Sequence, residues 1–196
     1  MPITPGVKDT WRIPFGLNET GAEVDWDLRQ APHALVVGGT GSGKTVTLRS
    51  IIVDATARGF TVFCVDPKRI ELTGLRDWPG VRAVASGTED MIALVTMLAD
   101  EMDDRYSAIE AGETTEGALP PILVVIDEAT EFIQRANAHW KANKRGAGSE
   151  HPVVERWRSM ARLGRSGRVH LVVDGDGTGL LEELRQLPGV HGIEII

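Results

Sequence analysis

Short aliphatic stretches alternate along the chain with longer segments whose apolar residues recur every three or four positions. The short stretches have the length of buried β-strands, and the longer ones have the spacing of amphipathic helices. The predicted strands are residues 34–37, 61–65, 81–85, 122–126 and 169–173. Strands that alternate with helices predict an α/β fold with a mostly parallel sheet, helices on both faces and ligands at the carboxyl ends of the strands.

Helical spacing predicts four helices between these strands. The first follows residue 45 and ends at Gly59. The second carries an apolar stripe and ends near Gly112, and Ser86 with Glu89 has the spacing of a capping box at its start. The other two cover residues 129–140 and 153–161.

Turn-forming residues divide the chain into three parts. Residues 1–33 contain several Pro and Gly residues between short apolar pieces, which predicts a small hairpin leading into the core at residues 34–173. The divergent tail covers residues 174–196, and within it we expect a short helix and a strand of uncertain packing over residues 179–196. With 196 residues, 42% of them hydrophobic, the chain suits one globular domain.

No apolar run approaches the length that spans a membrane, and the first residues lack the features of a signal peptide. We therefore expect a cytoplasmic chain. Its single cysteine, Cys64, lies in an apolar run and is predicted to be buried. The net charge of −7 argues against a uniformly basic nucleic-acid binder, but residues 135–168 hold nine Lys or Arg against two Glu. This basic segment could contact phosphates of DNA or of a nucleotide.

The first predicted strand runs directly into a glycine-rich loop and a helix. The spacing Gly38-x4-Gly43-Lys44-Thr45 satisfies the P-loop pattern. Glycines let backbone N–H groups turn inward on a polyphosphate, and the helix start adds its positive dipole end. Lys44 is predicted to reach the β- and γ-phosphates of ATP, and Thr45 to ligate Mg²⁺. The predicted nucleotide-binding residues are Gly38, Gly39, Thr40, Gly41, Ser42, Gly43, Lys44 and Thr45.

Two acidic residues, Asp127 and Glu128, follow the strand at 122–126. At that edge of the sheet Asp127 would serve Mg²⁺, and Glu128 would polarise the water that attacks the γ-phosphate. The alternative is that they are ordinary acids at a helix start, where the dipole favours them. A complete P-loop upstream favours the catalytic interpretation, and an acid directly after the Mg²⁺ aspartate is typical of motor ATPases.

Together these residues resemble the FtsK/SpoIIIE DNA translocases, including the Tra proteins of actinobacterial conjugative plasmids. The similarity covers about residues 11–173, with the segments VDPKRIEL, DEMDDRY, PPILVVIDEATEFI and ARLGRSGRVHLVV in the family's order. It implies a RecA-like P-loop core that forms a hexameric homo-oligomeric ring around double-stranded DNA and moves it with ATP. Any membrane association would come through segments outside this chain.

The resemblance also implies roles for single residues. Lys44 and Thr45 match the family's Walker A residues, and Asp127 and Glu128 match Walker B. Arg165 matches an arginine finger that reaches the neighbouring subunit's nucleotide, with Arg162 and Arg168 as competitors; alternatively, each of the three is a solvated surface arginine.

The similarity to the family is lost after Val173. Family members continue into a polar sensor motif and further strands, whereas here Asp176 takes the place of the sensor glutamine and faces the γ-phosphate in a RecA-like sheet. We therefore expect a core that lacks its last strands and is a weak ATPase as an isolated chain. Two alternatives stay open: a type VII secretion-like ATPase that moves polypeptide, and a nucleotide-binding assembly module that does not hydrolyse.

Overall fold

The computed structural model describes residues 10–39, 41–143, 148, 150–175, 182, 185–186 and 189–194. The strands are β1 (Arg12–Leu17), β2 (Glu23–Asp27), β3 (His33–Val37), β4 (Thr61–Val65), β5 (Val81–Ala85), β6 (Ile122–Ile126), β7 (Val169–Gly175) and β8 (Val190–Glu194). The α-helices are α1 (Lys44–Ala57), α2 (Thr88–Glu110), α3 (Ala129–Ala142) and α4 (Pro152–Leu163). All five predicted core strands and all four predicted helices are confirmed within a few residues.

The central feature is a six-stranded parallel sheet with the order β5-β4-β6-β7-β3-β8. Strands β1 and β2 form the predicted antiparallel hairpin as a separate sheet. Strand β7 lies between β3 and β6, which is its place in a RecA-like order. The glycine loop after β3 and the acidic pair after β6 therefore flank the end of β7.

The tail contributes more to the sheet than we expected. Strand β8 pairs in parallel with β3 along its whole length, from His33 opposite Val190 to Val37 opposite Glu194. The expectation that the core lacks its last strands is therefore wrong at this edge, since β8 covers the outer side of β3. A run of only a few apolar residues near a chain end did not distinguish a paired strand from an extended tail.

Each face of the sheet carries its own hydrophobic core. Alternating residues of the strands point to opposite faces, so that Val124 belongs to one core and Val125 to the other. Helices α2, α3 and α4 cover the first core, which includes the fully buried Trp157. Helix α1 and the β1–β2 hairpin cover the second, where Trp26 and Cys64 are buried. The prediction of helices on both faces is confirmed.

Two helix boundaries test the sequence signals. Gly59 adopts a φ of 87° directly after the C-cap of α1, as a glycine that ends a helix does. The capping box predicted at Ser86 is wrong: α2 has Gly87 as its N-cap, without a side-chain cap, and the Ser86 hydroxyl is buried without a hydrogen-bond partner among the described residues. The helix begins one residue later than the box requires, so Glu89 falls out of register.

Substitution of Gly164 should destabilise the fold strongly. A Cβ at this position, after the last turn of α4, would overlap the carbonyl oxygen of Val169 and lie 2.6 Å from that of Met160. Both are backbone atoms, so we expect Gly164→Ala to cost roughly 3 kcal/mol of unfolding free energy in urea denaturation. The control is Gly117→Ala, whose new Cβ has its nearest neighbour at 3.9 Å. Equal midpoints for the two variants would contradict this account of the turn.

Candidate nucleotide-binding site

The loop between β3 and α1 has the backbone shape that its glycines predict. Gly41 and Gly43 have φ angles of 81° and 104°, in the left-handed region that side chains with a Cβ rarely adopt. Helix α1 begins at Lys44 directly after this turn. The first N–H groups of α1 have no acceptor within the helix, as at any helix start, and they lie beside this loop. Thr40 lies outside the described residues.

The Lys44 ammonium group folds back over this loop. Its Nζ donates hydrogen bonds to the carbonyl oxygens of Gly38, at 2.9 Å, and Gly39, at 3.2 Å. These are contacts that the polyphosphate of a nucleotide could replace, since an anion binds an ammonium more strongly than a neutral carbonyl does. Thr45 is half-buried in the first turn of α1, next in the chain. The described members of the predicted phosphate-binding set thus lie together in the turn between β3 and α1.

Asp127 occupies the buried end of β6. Its side chain is 3% exposed, and its Oδ2 atom has no hydrogen-bond partner among the described residues. Burial raises the pKa of this carboxyl above its ordinary value. A buried carboxylate oxygen without a donor fits a hard divalent cation, which prefers oxygen ligands. Thr45 and Asp127 are accordingly the residues that could hold Mg²⁺.

Glu128 has an unusual backbone and a specific partner. It precedes α3 with a φ of 50°, in the left-handed region, and its side chain makes no capping bond to the helix. Instead its Oε2 atom lies 2.6 Å from Nζ of Lys68. The hydrogen bond to Glu128 raises the pKa of Lys68. Because a left-handed non-glycine residue is strained, this position favours a functional role over that of a helix-start acid.

Asp66 explains how Lys68 is positioned. The Asp66 carboxylate is fully buried at the end of β4 and accepts hydrogen bonds from the backbone N–H groups of Arg69 and Leu72 and from the Thr73 hydroxyl. These bonds fix the loop of the VDPKRIEL segment beside the acidic pair. In the sequence, this segment contributes to the resemblance but predicts no site residue of its own. An aspartate directly after a buried strand, at the same sheet edge as Asp127, was the signal that motif matching missed.

Asp174 is a second residue that the sequence analysis missed. Strand β7 continues two residues beyond its apolar run, so that Asp174 pairs in register with Val36 of β3 and is 2% exposed. Burial, followed by the negative charge of Asp127, raises the pKa of Asp174, while Lys44 acts to lower it. The apolar run ends at Val173 and therefore predicts the end of the strand there, and the acidic sensor position predicted at Asp176 lies outside the described residues.

Arg165 lies at the amino-terminal ends of the strands, on the side of the sheet opposite to the glycine loop. It lies in the turn between α4 and β7, where it is exposed and donates a hydrogen bond of 2.8 Å from Nη2 to the carbonyl oxygen of Arg29. Strand β7 runs from this edge toward the glycine loop, so Arg165 does not join the nucleotide site of its own chain. Of its competitors, Arg162 pairs with Glu155 at 2.6 Å, and Arg168 lies 4.7 Å from the centre of the Trp11 ring.

The basic segment 135–168 is less positive in space than in sequence. Several of its arginines pair with carboxylates, namely Arg135 with Glu131, Arg156 with Asp100, Arg158 with Glu150 and Arg162 with Glu155. Lys141 is exposed at the end of α3, while Lys144 and Arg145 lie outside the described residues. Fewer Lys and Arg side chains of this segment are therefore available to bind phosphate than its composition indicates.

Fold and site together define a class of protein. A parallel sheet in RecA-like order, a glycine loop with a lysine after β3 and an acidic pair after the next strand but one in space are the features of P-loop nucleoside triphosphatases. Residues 7–118 match the FtsK/SpoIIIE family. The chain belongs to this family, as its motifs predicted.

Known relatives extend the match over most of the chain. It is 26% identical over 200 residues to the transfer protein TraSA of Streptomyces ambofaciens, covering 91% of this chain and 46% of that protein. It is 27% identical over 178 residues to the DNA translocase SftA of Bacillus subtilis, covering 81% of this chain and 17% of SftA. The chain thus spans less than half the length of these relatives.

A solved structure has a similar fold. The monomer form of the pCW3 conjugation coupling protein TcpA with ATPγS superposes with a TM-score of 0.67 at 24% identity, over 90% of this chain and 52% of that one. Within the part of the chain that the structure describes, no helix is long and apolar enough to cross a membrane.

Proposed function

We propose that this chain is the ATP-binding motor domain of a double-stranded DNA translocase. The observation that carries the proposal is the arrangement of the glycine loop after β3 and the Asp127–Glu128 pair after β6 on the two sides of β7, in a chain of the FtsK/SpoIIIE family. The names of the relatives TraSA and SftA, a transfer protein and a DNA translocase, support DNA as the substrate.

In this proposal each site residue has one task. The backbone of residues 38–45 and the Lys44 ammonium bind the phosphates of ATP, and Thr45 with Asp127 holds Mg²⁺, which would neutralise charge on the β- and γ-phosphates. Glu128 orients and polarises the attacking water. Because Glu128 is paired with Lys68, its carboxylate would have to leave this ion pair, or share its oxygens between Lys68 and the water, in order to act on that water.

The position of Arg165 supports action between subunits. An exposed arginine at the edge opposite to its own glycine loop can approach a nucleotide only on a neighbouring copy. We therefore propose a homo-oligomeric ring in which Arg165 of one subunit completes the nucleotide site of the next. The resemblance to the FtsK/SpoIIIE family implies that this ring has six subunits. A finger of this kind stabilises the charge that develops on the transferred phosphoryl group.

Steady-state ATP turnover tests the proposal across protein concentration, with and without duplex DNA. We expect low turnover at low concentration that rises cooperatively and is stimulated by duplex DNA. Since β8 covers the edge beside β3, the expectation of a weak isolated motor now rests on the predicted negative charge of Asp176 at the sensor position, outside the described residues. Stimulation by an unfolded polypeptide instead of DNA would favour the secretion-like alternative. Nucleotide binding without turnover under any condition would favour an assembly module.

Charge reversal tests where DNA is contacted. We expect the triple variant with Glu at Lys141, Lys144 and Arg145 to bind duplex DNA about tenfold or more weakly at low salt and with a shallower salt dependence, because fewer counterions are released. Fluorescence anisotropy across salt concentration measures both quantities, and unchanged affinity for nucleotide is the control. Equal DNA affinity before and after reversal would exclude this segment and leave the subunit interface as the role of the remaining arginines.

A further inference from the structure

Asp174 lies beside the candidate metal site. It belongs to β7, the strand between β3, which leads into the glycine loop, and β6, which leads into the acidic pair. Strand β7 pairs with β3 on one side and with β6 on the other, and Ile126 is opposite Val173, so the next residues, Asp127 and Asp174, are neighbours. Beyond the effect of burial, the negative charge of Asp127 acts to raise the pKa of Asp174, and the positive charge of Lys44 acts to lower it. Asp174 is therefore directed toward the space beside the glycine loop.

Each of the two carboxyl groups has one oxygen without a hydrogen-bond partner in the part of the chain that the structure describes. Oδ2 of Asp127 and Oδ1 of Asp174 are both buried without a hydrogen-bond partner among the described residues, and the two side chains are 3% and 2% exposed. A buried acceptor without a donor is costly, and two facing carboxylates repel each other. A divalent cation between them removes both costs at once, because it is bound by oxygen atoms and carries the opposite charge.

The same geometry bears on the nucleotide. A carboxylate at this position would repel a γ-phosphate unless a cation lies between them. We propose that Asp174 is an additional carboxylate ligand, with Asp127 and Thr45, of the divalent cation that accompanies the nucleotide, and that it makes nucleotide binding by this chain unusually dependent on the metal. The inference rests on the proposed ATP site and adds to it a residue outside the P-loop and the acidic pair.

Equilibrium binding without turnover or DNA tests the inference. The affinity of a fluorescent ATPγS analogue is measured in Mg²⁺ and in EDTA, and the affinity of Mn²⁺ for the analogue-bound protein is measured by electron paramagnetic resonance. Wild type is compared with Asp174→Asn, with Asp174→Ala as a second variant so that the result does not depend on the folding of one protein. Asp104→Asn, an exposed residue of α2, is the charge-matched control.

We expect Asp174→Asn and Asp174→Ala to bind Mn²⁺ at least about tenfold more weakly and to lose most of the gain in nucleotide affinity that Mg²⁺ provides in wild type. Affinity in EDTA should stay the same or rise, because a negative charge has been removed. Two results would overturn the inference: an equal rise in nucleotide affinity with and without metal, which would make Asp174 a repelling charge, or no change at all.

Failure of this inference is distinguishable from failure of the proposed function. The binding measurements on wild type report whether a nucleotide site exists, and the variants report only on Asp174. Loss of DNA stimulation in the turnover experiment would refute the translocase proposal and leave the metal measurements unaffected. Wild type that binds no analogue in either condition would overturn both.

Discussion

Lys44→Ala is expected to reduce affinity for ATP about a hundredfold or more, to the point where binding is lost at ordinary concentrations. The ammonium group donates hydrogen bonds to carbonyl oxygens of its own loop, at 2.9 and 3.2 Å, and a polyphosphate could replace both of these acceptors. Charge-assisted hydrogen bonds of this kind contribute about 1.5–3 kcal/mol each, and Lys44 would make more than one. Titration with a fluorescent ATP analogue measures the loss.

The control for this variant is Lys141→Ala, which removes the same charge from the exposed end of α3. Its affinity for ATP should equal that of wild type. Because Lys44 is only half-buried, both variants should unfold at nearly the wild-type urea concentration. Undiminished ATP affinity in Lys44→Ala would refute the assignment of the glycine loop as a phosphate site, whatever the fold.

Glu128→Gln is expected to leave nucleotide binding intact and to slow hydrolysis by about 10²–10⁴-fold in the assembled, DNA-stimulated protein. Glutamine keeps the size of the side chain but cannot accept a proton from the attacking water. The change also removes the ion pair with Lys68. The Lys68 side chain is 50% exposed and that of Glu128 is 23% exposed, so the loss of this pair should lower the free energy of unfolding only slightly. Single-turnover kinetics with labelled ATP separates the chemical step from binding.

A matched control for Glu128 is available one turn further along α3. Glu131→Gln removes a carboxylate that pairs with Arg135 at 2.7 Å, near the same helix start but within the helix itself. If both variants hydrolyse ATP at the wild-type rate, Glu128 is an acid that favours the helix dipole and binds Lys68, and the water is activated by another group.

Strand positions were predictable because burial on both faces requires continuous aliphatic runs. Residues 122–126 are all buried between β4 and β7, and no polar residue interrupts them. The pairing of the edge strand β8 with the sheet was not predictable, for the opposite reason. The strand has one neighbour in the sheet and includes Gly192, which is exposed, so its sequence carries less of the pattern that full burial imposes.

The candidate site was predicted only as far as its motifs reach. The P-loop pattern and the acidic pair predict roles for Lys44, Thr45, Asp127 and Glu128, since each lies in a local sequence with a defined spacing. Contacts between distant segments have no such spacing. The approach of Lys68 to Glu128 spans 60 residues, and that of Asp174 to Asp127 depends on the register of two strands. The apolar run of β7 ends at Val173, before Asp174, so the sequence pattern did not show that Asp174 continues the strand beside Asp127.

The separation of Arg165 from the glycine loop has a genetic consequence. If Arg165 serves the next subunit, a chain carries parts of two active sites and completes neither alone. A subunit with Arg165→Ala would then inactivate the nucleotide site of its wild-type neighbour, while its own glycine loop remained intact. A subunit with Lys44→Ala would lose its own nucleotide site but could still supply Arg165 to its neighbour. When either variant is expressed together with wild type in one cell, it should be dominant negative. When the two variants assemble with each other, some turnover should return at the interfaces that pair an intact glycine loop with an intact Arg165.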